Sequence, residues 1–443
     1  MSIGPRMRIL VCPSGFKGSL QPDKAADCIE AGILAVEPSA MVHKVPLVDG
    51  GEGFTRAIVA STGGSLHEVS VTGPVGEPVM SHFGILGDVA SPSSSKRSSS
   101  SSLSSRGGTA PVTAVIEMAA AAGLSLVPST CRDPTVTTTY GVGQLILAAV
   151  TAGAERILVG CGDSGTCDGG AGMLQALGAR LIDEDGLLIP IAKGGASLAR
   201  LAAIDLSGVN PRVMKTTIDV AVNWHNVLCG PYGVAAVFGP QKGATPAQTD
   251  LLSGAMEVLA RVAGPLLRDD DVRLAPGGGA SGGLGTGLRL IGAILRPRYE
   301  VVMEYISLDG LFDDCDLVLT AEGGIDDQTP RGKIPGEIAR RAKERHLPVI
   351  AIAGTIGPGA RVNYDIGIDA MTCILQRPTT LDDAVNDAER LTRESAESVM
   401  RIVAVGRMMG LARKRKNHNN NSNKRIVKMA SAEMEKMSVL AQD

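Results

Sequence analysis

Aromatic residues are scarce: one Trp, five Tyr and five Phe in 443 residues. That leaves few platforms on which single-stranded bases could stack. Neither sign of charge dominates, since 43 basic and 46 acidic residues give a formal charge of −3. A chain so balanced has no general attraction for nucleic acid or anionic membrane. Its eight cysteines (12, 28, 131, 161, 167, 229, 315 and 373) form no CxxC pair, and its six histidines form no HExxH or zinc-finger spacing. Reduced thiols of an intracellular protein are the plain reading, with Cys12 and Cys161 in strand-like runs serving core packing, and Cys167, in a glycine loop, either a reactive thiol or a small side chain suited to its glycine neighbours. No apolar run reaches the ~20 residues of a membrane span, and MSIGPRMRILVC lacks the features of a signal peptide, so the expected location is the cytoplasm. GxxxxGK[ST] and the HRD/DFG pair are both missing, which excludes a P-loop enzyme and a protein kinase.

What is present is an ordinary folded mixture, 44% hydrophobic and 20% charged, long enough for about two to three domains. Continuously apolar, β-rich runs alternate with helix-period segments: RILVC then KAADCIEAGILAV, ERILVGC then AGMLQALGARLI, CDLVLT then PGEIARRAKERH, and LPVIAIAGT. Strands buried on both faces and joined by crossover helices read this way, so the fold class is α/β with mainly parallel sheets. Two stretches break the pattern. Residues 91–109, SPSSSKRSSSSSLSSRGGT, are too polar to offset the entropy of ordering and are expected as a disordered loop. Residues 412–443 are expected as a polar, basic tail, disordered or weakly helical, whose basic run suits a solvated end, an import signal or a phosphate-binding arm.

The 55 glycines gather in loops that follow strands. GCGDSGTCDGG (160–170) lies between a strand and a helix, where free backbone N–H groups attract an anion. It fits G-x-G-x-x-G through Gly160, Gly162 and Gly165, with Asp183 about twenty residues on; by itself this suggests an NAD site, or simply a tight turn. Lys17, between two glycines after the first strand, suits a phosphate or is an ordinary surface lysine. Asp49 and Glu52 flank Gly50 and Gly51 at another strand end, suited to a metal, a hydroxyl substrate or the capping of a helix. Lys242 stands beside Gly243, PGGGASGGLGTGL (276–288) includes Gly282 and Gly283, and AEGGIDDQTPRGK carries Glu322, Asp326, Asp327, Arg331 and Lys333. Three glycine loops supplied with Lys and carboxylates exceed one dinucleotide site. They suit phosphoryl transfer, in which lysines and amides neutralise phosphates while carboxylates hold Mg²⁺ and take a hydroxyl proton.

VDGGEG, VTGPVGEPV, VIEMAAAAGLSLVP, RDPTVTTTYGVGQLI, DGGAGMLQALGA, FGPQKGA, GASGGLG and GKIPGEIA, in that order, closely resemble the glycerate kinase type I family from about Met7 to about Leu411. The resemblance implies ATP- and Mg²⁺-dependent phosphorylation of D-glycerate, or a closely related small hydroxy acid, more often to 2-phosphoglycerate. It implies two α/β domains, 1–62 with 290–410 and an inserted 63–289. The expected partners are the hydroxy acid and ATP, with the chain a monomer or homodimer and no nucleic acid or membrane involved. The candidate catalytic residues are Lys17, Asp49, Glu52, Asp168, Glu322 and Asp326, with Asp49, Glu322 and Asp326 as metal ligands. Gly160, Gly162, Ser164, Lys242, Gly282, Gly283 and Lys333 are the candidates for binding ATP. The chain departs from the family pattern at Ser14 and Gly15 (PSGFK for PDSFK), Asp163 for glycine, Cys167 for asparagine, Asn223 for aspartate and Gly324 for arginine. Trp224 and His225 are additions; His225 is expected either to contact the acceptor or to pack on a helix. The rival readings are an NAD-dependent hydroxy-acid dehydrogenase and a catalytically inactive relative.

Overall fold

The computed structural model describes residues 6–87 except 17 and 49, and residues 111–410 except 307 and 331. Lys17, Asp49, Arg331, the serine-rich 91–109 and the tail 412–443 therefore lie outside the described residues.

The architecture is α/β, with mainly parallel sheets. β1 (Arg8–Pro13), β2 (Met41–Lys44), β11 (Leu317–Ile325), β12 (Val349–Ile356) and β13 (Ala370–Cys373) form a five-stranded sheet in the order β13-β12-β11-β1-β2. Every pairing in it is parallel. β1 and β11 come from opposite ends of the sequence yet pair from Ile9↔Leu317 to Pro13↔Ala321. The second sheet comprises β3 (Ser65–Thr72), β4 (Pro78–Ile85), β5 (Thr113–Glu117), β6 (Arg156–Gly160), β9 (Thr217–Val222) and β10 (Ile294–Pro297), in the order β10-β9-β6-β5-β4-β3. Its β10-β9-β6-β5 portion is parallel, and the β3–β4 hairpin joins β5 antiparallel. β7 (Arg180–Asp183) and β8 (Leu201–Asp205) make a separate antiparallel pair.

Three clusters of buried apolar side chains hold these layers. In the six-stranded sheet the alternation of side chains divides the strands: Ala114, Ile116, Ile157, Val159, Val220 and Val222 face one cluster, with the helices Tyr140–Thr151 and Pro246–Leu267. Val115, Leu158 and Ala221 face another, which also takes Leu10, Cys12 and Val318 from the five-stranded sheet. The two sheets thus share a core, filled by the helices Phe54–Thr62 and Arg298–Ile306. The third covers the far face of the five-stranded sheet with the helix Pro22–Val36. There the helix 388–410 approaches so closely that a Cβ on Gly32 would lie 2.5 Å from the carbonyl oxygen of Arg393.

Local chemistry sets the helix ends. Thr245 and Gln248 form a reciprocal capping box before Pro246, the first residue of the helix Pro246–Leu267. The helical period of AGMLQALGARLI does not run its full length: the helix stops at Ala176 and Arg180–Asp183 is a strand. Gly178 turns the chain at φ 106°, pressed against the carbonyl of Gly208, a break that hydrophobic spacing alone does not show.

Phe54 is fully buried where the shared core meets β6. Phe54→Ala is expected to cost about 3–5 kcal/mol, read as a lower urea midpoint with an unchanged slope.

Candidate active site

Most of the candidate residues lie near the carboxyl ends of parallel strands, where open α/β sheets collect ligands. On the six-stranded sheet, register sets Glu117 beside Gly160 and Gly160 beside Ala221. On the five-stranded sheet Pro13 is opposite Ala321, and Glu322 follows. Ser14 donates from both its N–H (2.8 Å) and its Oγ (3.1 Å) to the carbonyl of Ala321.

Residues 45–55 join the two edges. Val45 and Leu47 donate to the carbonyls of Val11 and Pro13, extending the line of β2 along β1. Three residues later Gly50 (φ 88°) lies against the backbone of Cys161 and Ala221. A Cβ on Gly162 would come within 2.7 Å of the Gly51 Cα, so the two glycine loops touch backbone to backbone. The N–H of Glu52 donates to Asp163 Oδ2 (3.2 Å), and those of Gly53 and Thr55 donate to Glu117 Oε1 (3.3 Å) and Oε2 (2.8 Å). Two carboxylates from the second sheet therefore receive the start of the helix Phe54–Thr62.

The loop 160–170 is built around Asp168, which is 1% exposed. Its carboxylate accepts from the N–H and Oγ1 of Thr139 (both 2.8 Å), and from the N–H of Gly170 and of Gly172 (both 3.1 Å). The anion at this helix start is the chain's own. Burial pushes the Asp168 carboxyl up, and those donors pull it back. Ser164 and Thr166 face Lys242, whose Nζ donates to Ser164 Oγ (2.8 Å) and to the Thr166 carbonyl (2.6 Å). Lys242 is buried, which lowers its pKa from the ordinary lysine value, while Cys167 and Asp168 oppose that shift. The Cys167 thiol is pushed up to about 11 by burial, and Cys161 to about 12; both remain unreactive core groups.

Ser281, Gly282 and Gly283 run through three successive left-handed conformations (φ 52°, 74° and 87°) before the regular part of their helix. A Cβ on Gly282 would fall 2.0 Å from the Thr166 carbonyl. Gly160, Gly162, Ser164, Lys242, Gly282 and Gly283 thus line one connected set of loops. Lys333, Glu322 and Asp326 form a second group at the end of β11: Lys333 Nζ lies 3.2 Å from Asp326 Oδ1, 3.1 Å from the Gly324 carbonyl and 4.0 Å from Glu322 Oε2.

Asp183 does not complete a dinucleotide site. It belongs to the separate β7–β8 pair and closes its own turn, accepting from the N–H groups of Asp185 and Leu187. The neighbours of β6 are β5 and β9, so the ribose-binding carboxylate of the NAD reading has no counterpart here. Trp224 and His225 are exposed, with the His225 N–H donating to Asn223 Oδ1. Glu117 and Thr139 are the positioning groups that motif reading passed over. The available signal was a charged residue ending the apolar run TAVIE, and a run of threonines ahead of a helix.

An α/β protein with mainly parallel sheets, and with glycine loops, a buried lysine and carboxylates near strand ends, has the make-up of a small-molecule phosphotransferase. The particular family follows from comparison: the model of the glycerate kinase family matches residues 9–404, and the chain belongs to that family. It is 42% identical to the glycerate kinase of Bacillus subtilis (strain 168) over 91% of this chain and 100% of that protein. It is 41% identical to the glycerate 2-kinase of Escherichia coli (strain K12), over 90% and 99%. The solved structure of a Salmonella typhimurium LT2 protein assigned as glycerate kinase 2 superposes with a TM-score of 0.72 at 40% identity, covering 91% of this chain and all of that one. Among the described residues no helix is long and apolar enough to cross a membrane.

Two outcomes follow from the buried carboxylates. Asp168→Asn turns an acceptor toward N–H donors and is expected to cost about 1–3 kcal/mol, with turnover per folded molecule changing much less than stability; thermal melting and kcat on the same samples check this. Burial raises the Glu117 carboxyl, with Glu52 adding to the shift and the N–H groups of Thr55 and Gly53 opposing it. Between the ordinary value and the raised one, the native state holds a proton the unfolded chain has lost, so stability falls as pH climbs through that window. Glu117→Gln should flatten this part of the stability curve, measured by urea unfolding from mildly acidic to neutral pH; parallel curves would refute it.

Proposed function

We propose that the protein transfers the γ-phosphoryl group of ATP to a hydroxyl of D-glycerate. The observation that carries this reading is the full-length likeness to proteins named glycerate kinase, across both sheets and all the loops just described. Binding and stabilising negative charge is the main task in such a transfer. Lys242, a cation held among neutral oxygens in a dry interior, is the proposed clamp for phosphate or carboxylate oxygens, with Lys17 as a second. Gly160, Gly162, Gly282 and Gly283 are the proposed ATP-binding glycines; the chain's own atoms fill the space a Cβ would take at each, so they bring the loops together, and Ser164 orients the Lys242 ammonium. The carboxylates Asp49, Glu52, Glu322 and Asp326 supply the base that takes the acceptor's proton, and Asp168 is proposed to act by fixing the loop.

Mg²⁺ commonly needs one or two carboxylates, the rest of its shell coming from phosphates and water. Glu322 and Asp326, which share the Lys333 ammonium, offer oxygen donors that fit this need, with Asp49 as a third candidate. The bound ion would offset charge on the transferring phosphoryl group. We also infer two structural units, 1–62 with 290–410 and an inserted 63–289; the division of strands between the sheets supports this except at β10 (Ile294–Pro297), which pairs with β9 in the six-stranded sheet.

Incubation with ATP, Mg²⁺ and a panel of small hydroxy acids should release ADP fastest with D-glycerate, with phosphorus NMR identifying the hydroxyl used. NAD-dependent oxidation without ADP release would overturn the assignment. Lys242→Met should lower kcat/KM by about 10² or more while the melting temperature holds or rises, because the variant also removes a buried charge.

A further inference from the structure

Asp163 stands at the start of the loop that faces residues 50–53, in a conformation that costs energy for a residue with a side chain. Its φ is 46°, one of five positive-φ values at non-glycine positions among the described residues. Aspartate tolerates this region better than most residues, but glycine adopts it freely. The carboxylate offsets that cost with a contact glycine could not make, since Oδ2 accepts the N–H of Glu52 across 111 residues of sequence. The fit leaves no room to spare: a Cβ on Gly51 would fall 2.0 Å from that same oxygen. On the next strand over, Glu117 takes the N–H groups of Gly53 and Thr55. The acidic loop is therefore held at three amides by two carboxylates of the facing sheet.

We propose that Asp163 is a positioning residue for the phosphoryl transfer. Its carboxylate fixes the backbone at Gly51–Glu52, and so sets where the carboxylate of Glu52 stands relative to the 160–170 loop. This rests on the kinase reading for its functional consequence, but not for its physical one. Glu117 anchors the buried start of the helix, whereas the Asp163 contact is at the exposed side, where Glu52 projects. Losing it frees the part of the loop that carries the acid and leaves the helix anchored.

The test uses the full chain with Asp163→Gly, which suits the positive φ, and Asp163→Asn, which keeps an acceptor oxygen. Hydrogen exchange read by mass spectrometry on the peptide spanning 50–55 should rise about fivefold to tenfold in the glycine variant, the scale of one hydrogen bond. It should stay near wild type in the asparagine variant, with the melting temperature preserved in both. In the ATP-dependent assay kcat with D-glycerate should fall by a similar factor in the glycine variant, with KM for ATP unchanged, and recover with asparagine. Unchanged exchange in Asp163→Gly would overturn the tether. Raised exchange with unchanged kcat would overturn the positioning role, as would equal losses of kcat in both variants. If wild type itself turns over no hydroxy acid, the kinase reading fails while the exchange result still decides the tether.

Discussion

The crossing made by residues 45–55 is the constraint on which the rest of the arrangement depends. At Leu47 this segment still runs along the five-stranded sheet, donating to Pro13 at the end of β1. At Gly50 it is already packed on the end of β6. Three residues of chain span at most about 11 Å, so the carboxyl ends of β1 and β6 are tied to within a short, fixed distance. Each sheet carries polar groups beyond its strand ends: Glu322, Asp326 and Lys333 on the first, and the loops around Ser164, Lys242 and Gly282 on the second. A site made from two facing edges needs their separation defined, and covalent length does this more firmly than any side-chain contact.

The same economy explains the buried charges. Orphan N–H groups at helix starts attract anions, and here two such positions are filled from within: Asp168 serves the start of Ala171–Ala176, and Glu117 that of Phe54–Thr62. Both carboxylates pay a desolvation cost, visible in their raised pKa, and both recover part of it through several short N–H bonds. Lys242 differs from them. It donates to a hydroxyl and a carbonyl, which orient an ammonium but do not cancel its charge. Asp168 lies near enough to act on it through space but makes no direct bond to it, so the ammonium is left with a field that an incoming anion can use.

Much of the fold was legible because parallel strands write themselves as unbroken apolar runs: RILVC, RILVG and LVLTA are all strands. The site was partly legible for a related reason, since glycine loops after such strands mark strand ends, and the structure gathers Gly160, Gly162, Gly282 and Gly283 accordingly. What sequence could not show was which partner each polar group finds. Asp183 looked like a ribose ligand by its distance along the chain, but Gly178 turns the strand away into its own hairpin. Glu117 ends an apolar strand and meets a helix 62 residues earlier, a pairing that only the assembled sheet creates. Asp163, read as a departure from glycine, gains its meaning from Glu52 in the same way.

The departures from the family pattern then separate by environment. Cys167 is sealed in the core, where burial pushes its thiol up to about 11, so it fills space there. Ser14 bonds to the Ala321 carbonyl next to Glu322, which fixes the end of β1 without adding a charge there. Gly324 leaves open space where a Cβ would meet nothing nearer than the Thr355 hydroxyl at 3.4 Å, while its carbonyl accepts from Lys333. One cation near Glu322 and Asp326 is thus supplied by Lys333 from the start of the helix Ile334–Glu344. Ser14 and Gly324 make no contact with Lys242 or Ser164, whereas Cys167 lies close enough to act on the Lys242 ammonium; Asp163, Glu52, Trp224 and His225 are the exposed residues among those singled out.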